Sequence, residues 1–197
     1  MRSLLLAGAS VQARLDAHGW PSCFIGGIAN FRWGTPRLTN DLDLTVLTGF
    51  GGEAAVIEVL LREFEARLPD ARAFAERYRV VLLRTPDGIG IDIALGAMPF
   101  EEGTIARATP AELAPGAVLR TCSASDLVVH KAFAARPQDW VDIEGVLVKQ
   151  QGVLDWPQLW RDLTDLAVLK EAPELVEELE RVARRAETVL GPFARPR

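Results

Sequence analysis

Phe24-Ile25-Gly26-Gly27, then Arg37-Leu38-Thr39-Asn40-Asp41-Leu42-Asp43-Leu44, is the stretch on which the fold turns. From Asp41 to Leu47 polar and apolar residues alternate, which predicts a strand with one buried face. Strand side chains repeat every two residues, so Leu42, Leu44 and Val46 share one face and Asp41, Asp43 and Thr45 the other. The two carboxylates can therefore converge on one site. Mg²⁺ is a hard ion that keeps several waters and needs only one or two carboxylates plus substrate phosphates. An Asp-Leu-Asp triplet alone is common on half-solvated strands; the glycine pair gives this one weight. Gly26-Gly27 closes a short strand over residues 22–25, ahead of a helix or turn over 28–33. Glycines there let backbone N–H groups approach phosphate oxygens at a helix N-terminus. They suit a tight turn with positive φ equally well. No Lys-Ser pair follows, which excludes a P-loop.

Further along the chain, Asp92 stands alone between Ile91 and Ile93 in a second alternating run, residues 89–95. If that strand pairs beside the Asp41–Asp43 strand, three carboxylates share a face. Residues 78–84 form its hairpin partner across Thr85-Pro86-Asp87-Gly88, a sequence rich in turn formers. Helical spacing predicts helices over 4–18 and 53–68, and after a short strand at 118–121 the pattern is helical from Ser123 to the end. Ser123 with Asp126 reads as an N-cap; Pro137, Trp156-Pro157 and Pro173 open later helices. The fold class is α/β (α+β): a small mixed sheet with flanking helices over residues 1–122, then a helical bundle over 123–197.

The chain has 197 residues and a net charge of −5, which argues against a broad basic face for non-specific duplex binding. It leaves room for a small basic pocket around a triphosphate or an RNA end. Cys23 and Cys122 are too few for a disulfide scaffold or a four-thiolate zinc site and read as reduced thiols of a cytoplasmic protein. The apolar run from Leu4 to Ala9 is too short for a membrane span or a signal peptide, so neither is expected.

Gly26-Gly27, Asp41-x-Asp43 and Asp92 together resemble the polymerase β-like nucleotidyltransferase superfamily. Within it the chain is similar to the AbiEii-type nucleotidyltransferases, which include toxins of type IV toxin–antitoxin and abortive-infection systems. The segment carrying that likeness runs from Asp126 to Ile143 and contains Lys131-Ala132-Phe133-Ala134-Ala135-Arg136-Pro137-Gln138-Asp139-Trp140-Val141-Asp142. The resemblance implies a nucleotidyltransferase core over 1–122. It implies a Mg²⁺ cofactor held by Asp41, Asp43 and Asp92, an NTP co-substrate, and Asp92 assisting the acceptor hydroxyl. It also implies that Lys131 is catalytic, reaching the phosphates or the acceptor, and that Asp139 and Asp142 orient it or contact the nucleotide. Gly26, Gly27 and Arg37 would hold phosphate. Gly27 stands where many members of the wider superfamily have serine.

From spacing alone, Lys131 reads more readily as a surface lysine than as a site residue. Asp139 and Asp142 likewise read as a solvated helix face or as partners of Arg136. Arg32 and Arg37 each suit a phosphate fork or an exposed loop. The tryptophans read mainly as packing anchors. The acceptor is open among a tRNA end, a protein hydroxyl and a small molecule, and a toxin would have a cognate antitoxin as partner. The rival readings are an aminoglycoside-type antibiotic nucleotidyltransferase and a non-catalytic nucleotide-binding or interaction module.

Overall fold

The structure, a computed structural model, describes the backbone of residues 1–190 and the side chains of residues 1–187. Residues 191–197 of the helical region expected over 123–197 lie outside the described residues. The strands are β1 (Ser22–Phe24), β2 (Asp41–Leu47), β3 (Glu65–Ala66), β4 (Val80–Arg84), β5 (Gly90–Gly96), β6 (Thr109–Ala114) and β7 (Ala117–Thr121). They form one mixed sheet in the order β3-β4-β5-β2-β1-β7-β6. β2 runs parallel to β5 and β1 parallel to β7; the other neighbours are antiparallel. The helices are α1 (Arg2–Ala17), α2 (Gly26–Trp33), α3 (Glu53–Glu63), α4 (Ala71–Tyr78), α5 (Pro99–Ala106), α6 (Ala124–Ala134), α7 (Pro137–Lys149), α8 (Trp156–Lys170) and α9 (Glu174–Leu190).

The chain divides into two compact units, one of Met1–Ile28 with Leu38–Cys122, the other of Ala29–Arg37 with the chain from Ser123 onward. In the first, the register explains the buried face of the sheet. Leu42 pairs with Ile91, Leu44 with Ile93 and Val46 with Leu95; Ile91 and Ile93 in turn pair with Leu83 and Val81. These side chains are all at most 1% exposed. Burying each is worth about 1.5–3 kcal/mol. Helix α1 packs on this layer through Gly8: a Cβ there would stand 3.3 Å from Phe24 and 3.4 Å from Leu42 and Leu119. The opposite face carries Asp41, Asp43 and Thr45 on β2 and Gly90, Asp92 and Ala94 on β5.

In the second unit α6 to α9 bury Leu127, Val128, Ile143, Val146, Leu159, Leu163, Leu179 and Val182 against one another. Ser123 caps α6 by accepting the Asp126 N–H at 3.1 Å, and Asp155 caps α8 by accepting the Gln158 N–H at 3.0 Å. The segment Ala29–Arg37 is fastened here: Lys149 Nζ donates to the Gly34 carbonyl at 2.9 Å and Gln150 Nε2 to that of Trp33 at 2.9 Å. No described helix is long and apolar enough to cross a membrane.

Several elements differ from the periodicity. The helix predicted over 53–68 stops at Glu63, where Phe64 turns extended with φ −129° and ψ 153°. Glu65 and Ala66 then pair with Arg84 and Leu83, so strand bonds replace the last helical turn. Tyr78, predicted to open a strand, ends α4 instead. Arg79 caps that helix at φ 55° with its N–H on the Ala75 carbonyl, and β4 begins after it. Helix α5 and strand β6 occupy a stretch for which the sequence pattern predicts no element. Helix α5 is fixed by Pro99 at its first turn and by Glu101, whose carboxylate accepts the Ala97 and Met98 N–H groups at 2.8 and 2.9 Å.

Candidate active site

Strands β2 and β5 place the three motif acids on one face. Asp43 is the direct cross-strand partner of Asp92, and Asp41 lies one pleat away, opposite Gly90. Gly90 makes room for it, because a Cβ at that position would lie 2.8 Å from Asp41 Oδ1.

The glycine pair belongs to the first turn of α2 rather than to a loop ahead of it. Gly26 has φ +53°, the left-handed region in which a side chain is strained. A Cβ there would also fall 2.2 Å from Asp43 Oδ2. The Gly27 N–H donates to that same oxygen at 3.2 Å, and the Ile25 N–H donates to the Asp43 carbonyl at 2.9 Å. The glycine turn therefore wraps Asp43 closely, with helix-start N–H polarity directed at its carboxylate. At Gly27 a Cβ would lie 2.5 Å from Thr39 Oγ1. The serine common in the superfamily would have to displace Thr39.

Gly26→Ala joins a strained backbone to a steric conflict with Asp43. It is expected to destabilise the protein by about 1–3 kcal/mol. Thermal unfolding of the purified variant checks this; an unchanged midpoint would mean that the turn does not constrain Asp43.

Sequence reasoning gives Arg67 no role, yet its Nη2 is paired with Asp92 Oδ1. The signal lies in register, which a two-residue edge strand does not advertise in its sequence.

Among the described residues no three His, Cys, Asp or Glu side chains are arranged to hold a metal ion by themselves. Mg²⁺ does not require such a cage: one or two carboxylates suffice where substrate phosphates complete the shell. Two directly opposed aspartates with a third a pleat away would be such a donor set.

In the helical unit, α6 and α7 bring Lys131, Asp139 and Asp142 together. Lys131 is 4% exposed, and its Nζ donates to Asp139 Oδ1 at 3.1 Å and to Asp142 Oδ2 at 2.6 Å. Ala135, at φ 58°, ends α6 and lets Pro137 start α7 at once, which places the lysine beside the aspartates. Arg37 Nε donates to both Asp142 oxygens at 3.0 and 3.1 Å, and Gln138 Nε2 donates to Asp142 Oδ1 at 3.1 Å. Arg136 meets Asp139 Oδ2 through its backbone N–H at 3.2 Å and its Nε at 3.0 Å. Burial pushes the Asp142 carboxyl up; the hydrogen bonds from Arg37, Lys131 and Gln138 outweigh this and hold it below the ordinary value. Arg32 stacks over Trp33, and Trp156 stacks on Trp160.

The mixed sheet thus pairs an Asp-x-Asp strand with a third aspartate and starts a Gly-Gly helix on the second acid. The family model described as nucleotidyl transferase AbiEii toxin, type IV TA system, matches residues 12–189. The chain belongs to this AbiEii nucleotidyltransferase family. None of the curated proteins matches it. Among solved structures it is similar to an antigenic nucleotidyltransferase-like protein from Paracoccidioides brasiliensis, with TM-score 0.55 and 16% identity over 90% of this chain and 92% of the other. That likeness supports the fold alone. The antibiotic-resistance factor ANT(2'')-Ia is more distant in shape. Its solution structure gives TM-score 0.46 and 18% identity over 94% of this chain and 92% of that one. Its complex with adenylyl-2''-tobramycin gives 0.42 and 19% over 94% and 99%.

Proposed function

We propose that the protein transfers a nucleoside monophosphate from an NTP to an acceptor hydroxyl and releases pyrophosphate. The observation that carries this reading is the cross-strand pairing of Asp43 with Asp92, with Asp41 on the same face and the Gly27 N–H on Asp43. Asp41, Asp43 and Asp92 would hold Mg²⁺. When bound, the ion would supply charge neutralisation for the triphosphate and acidify the attacking hydroxyl. The glycine turn fixes the orientation of Asp43. Asp92 is the acid assigned to the acceptor side, where it assists loss of the hydroxyl proton. The acceptor oxygen forms its bond to the α-phosphorus as the bond to the bridging oxygen breaks and pyrophosphate leaves. Catalysis of this kind is mostly positioning and electrostatics.

Lys131, held by Asp139 and Asp142, and Arg37 are the residues that the family resemblance assigns to nucleotide handling. The salt links among them support a single preset arrangement. The family supports a toxin role with an antitoxin partner. The acceptor classes in view are a tRNA end, a protein hydroxyl and a small molecule.

The test presents the purified chain with each of four α-labelled NTPs, Mg²⁺, and total RNA, lysate protein or an aminoglycoside panel in turn. Labelled product in one arm, lost on chelation, is expected and names donor and acceptor class together. Absence of transfer in every arm would overturn the enzymatic reading.

A further inference from the structure

We propose that Arg67 is a resident counter-cation of the acid face, a positioning residue that occupies Asp92 until a divalent cation displaces it. The inference rests on the reading above that Asp41, Asp43 and Asp92 form the cation-binding set. It starts from register. Glu65 and Ala66 pair with Arg84 and Leu83, and the Arg67 N–H continues that ladder by donating to the Leu82 carbonyl at 3.0 Å. Leu82 pairs with Asp92, and Asp92 pairs with Asp43. Arg67, just past the end of β3, thus stands in one row with Leu82, Asp92 and Asp43 on three successive strands. Side chains in a row share a face, so Arg67 is placed at the edge of the acid face by the fold itself.

The arginine reaches over Leu82 and pairs its Nη2 with Asp92 Oδ1. A Cβ on Gly90 would lie 3.4 Å from Arg67 Nη1 and 2.8 Å from Asp41 Oδ1. The guanidinium therefore borders the space beside Asp41 as well. It is 31% exposed on its side chain, against 36% for Asp92. Both partners are partly shielded, so their attraction is less screened than at a fully open surface.

Like charges gathered on one face repel. A fixed cation among them offsets that repulsion and holds Asp92 in one orientation. It also competes with any ion that needs the Asp92 oxygen, and so raises the cation concentration at which the site fills. A guanidinium keeps its charge across the accessible pH range, so Arg67 does not leave this competition by losing its proton.

The experiment uses the full chain with Mn²⁺ alone and no nucleotide, reading free Mn²⁺ by electron paramagnetic resonance. Arg67→Gln is expected to tighten Mn²⁺ binding about tenfold, with Arg67→Lys falling between it and the parent because a lysine keeps the charge and loses the fork. In an Asp92→Asn background Arg67→Gln is expected to have no effect. Unchanged or weaker binding in both Arg67 variants would overturn the proposal. Equal tightening with and without Asp92 would also overturn it, since that is general charge repulsion. Should Asp43→Asn and Asp92→Asn bind Mn²⁺ as well as the parent, the cation-site reading falls and this inference with it. Loss of Mn²⁺ in those two, with no Arg67 effect, removes this inference alone.

Discussion

Asp43→Asn is expected to slow nucleotidyl transfer by about 10³-fold while leaving the fold intact. The size follows from what the residue would supply: a carboxylate holding the cation that neutralises the triphosphate, an effect worth several kcal/mol, or about 4 kcal/mol for that factor. The fold should survive because asparagine keeps a carbonyl oxygen for the Gly27 N–H, which donates to Asp43 at 3.2 Å. Asp92→Asn should behave alike, since Asp92 sits directly opposite across the β2–β5 ladder. Single-turnover transfer with labelled NTP, run beside thermal unfolding, checks both quantities. A variant that transfers nucleotide at the parental rate would remove the acids from the chemistry.

Lys131→Met should be the most damaging single change in the helical unit. It removes a cation that meets Asp139 and Asp142, which are 5% and 4% exposed. Breaking a buried pair by deleting one partner typically costs about 3–5 kcal/mol, because the remaining charge stays desolvated. Arg37 and Arg136 still touch the aspartates, but their side chains are 37% and 75% exposed and neutralise them less well. The expected loss is therefore near about 3 kcal/mol, a fall in Tm of about 10 °C for a chain of this size. Adding Asp139→Asn and Asp142→Asn to the methionine variant should recover much of it. A Tm that stays put would show that the lysine is not a structural cation.

The same cluster sets an acid limit. The folded-state value of Asp142 lies below its ordinary 3.8, so its contribution is fully present above about that pH and disappears as pH falls through the lower folded value. Asp142→Asn should flatten that part of the acid-unfolding curve, measured by circular dichroism below pH 4.

Strand β2 was legible because a strict two-residue alternation runs its whole length, and the acids inherited their common face from that period. The Ser123 cap and the helix start at Pro137 were legible because each acts within one turn of chain. The end of α3 was not. Phe64 and Leu68 continue the helical stripe, and only the partner strand, distant in sequence, pulls Glu65 and Ala66 into the sheet. Strand β6 contains a proline and two alanines with little strand propensity, and its pairing with β7 decides it. Helix α5 did carry a local signal, Pro99 followed by Glu101, that outweighs the irregular look of its neighbours. Arg67 stayed invisible for the reason β3 did: its place follows from three successive cross-strand registers. The family likeness points to Lys131, Asp139 and Asp142, whereas the near-complete exclusion of Lys131 from solvent could come only from three-dimensional packing.

Residues Ala29–Arg37 group with α6 to α9, although the chain on both sides of them groups with the sheet. Arg37 must wait for Asp142, 105 residues later, and Trp33 for Gln150, 117 residues later. Such distant closures come late in folding, since the entropy of the intervening chain is lost before any contact repays it. During synthesis the sheet can therefore assemble while this short segment still lacks its companions. A single cut after Cys122 would then separate no self-sufficient halves: the amino-terminal fragment would carry an orphaned turn, and the carboxyl-terminal fragment would lack one of its own walls.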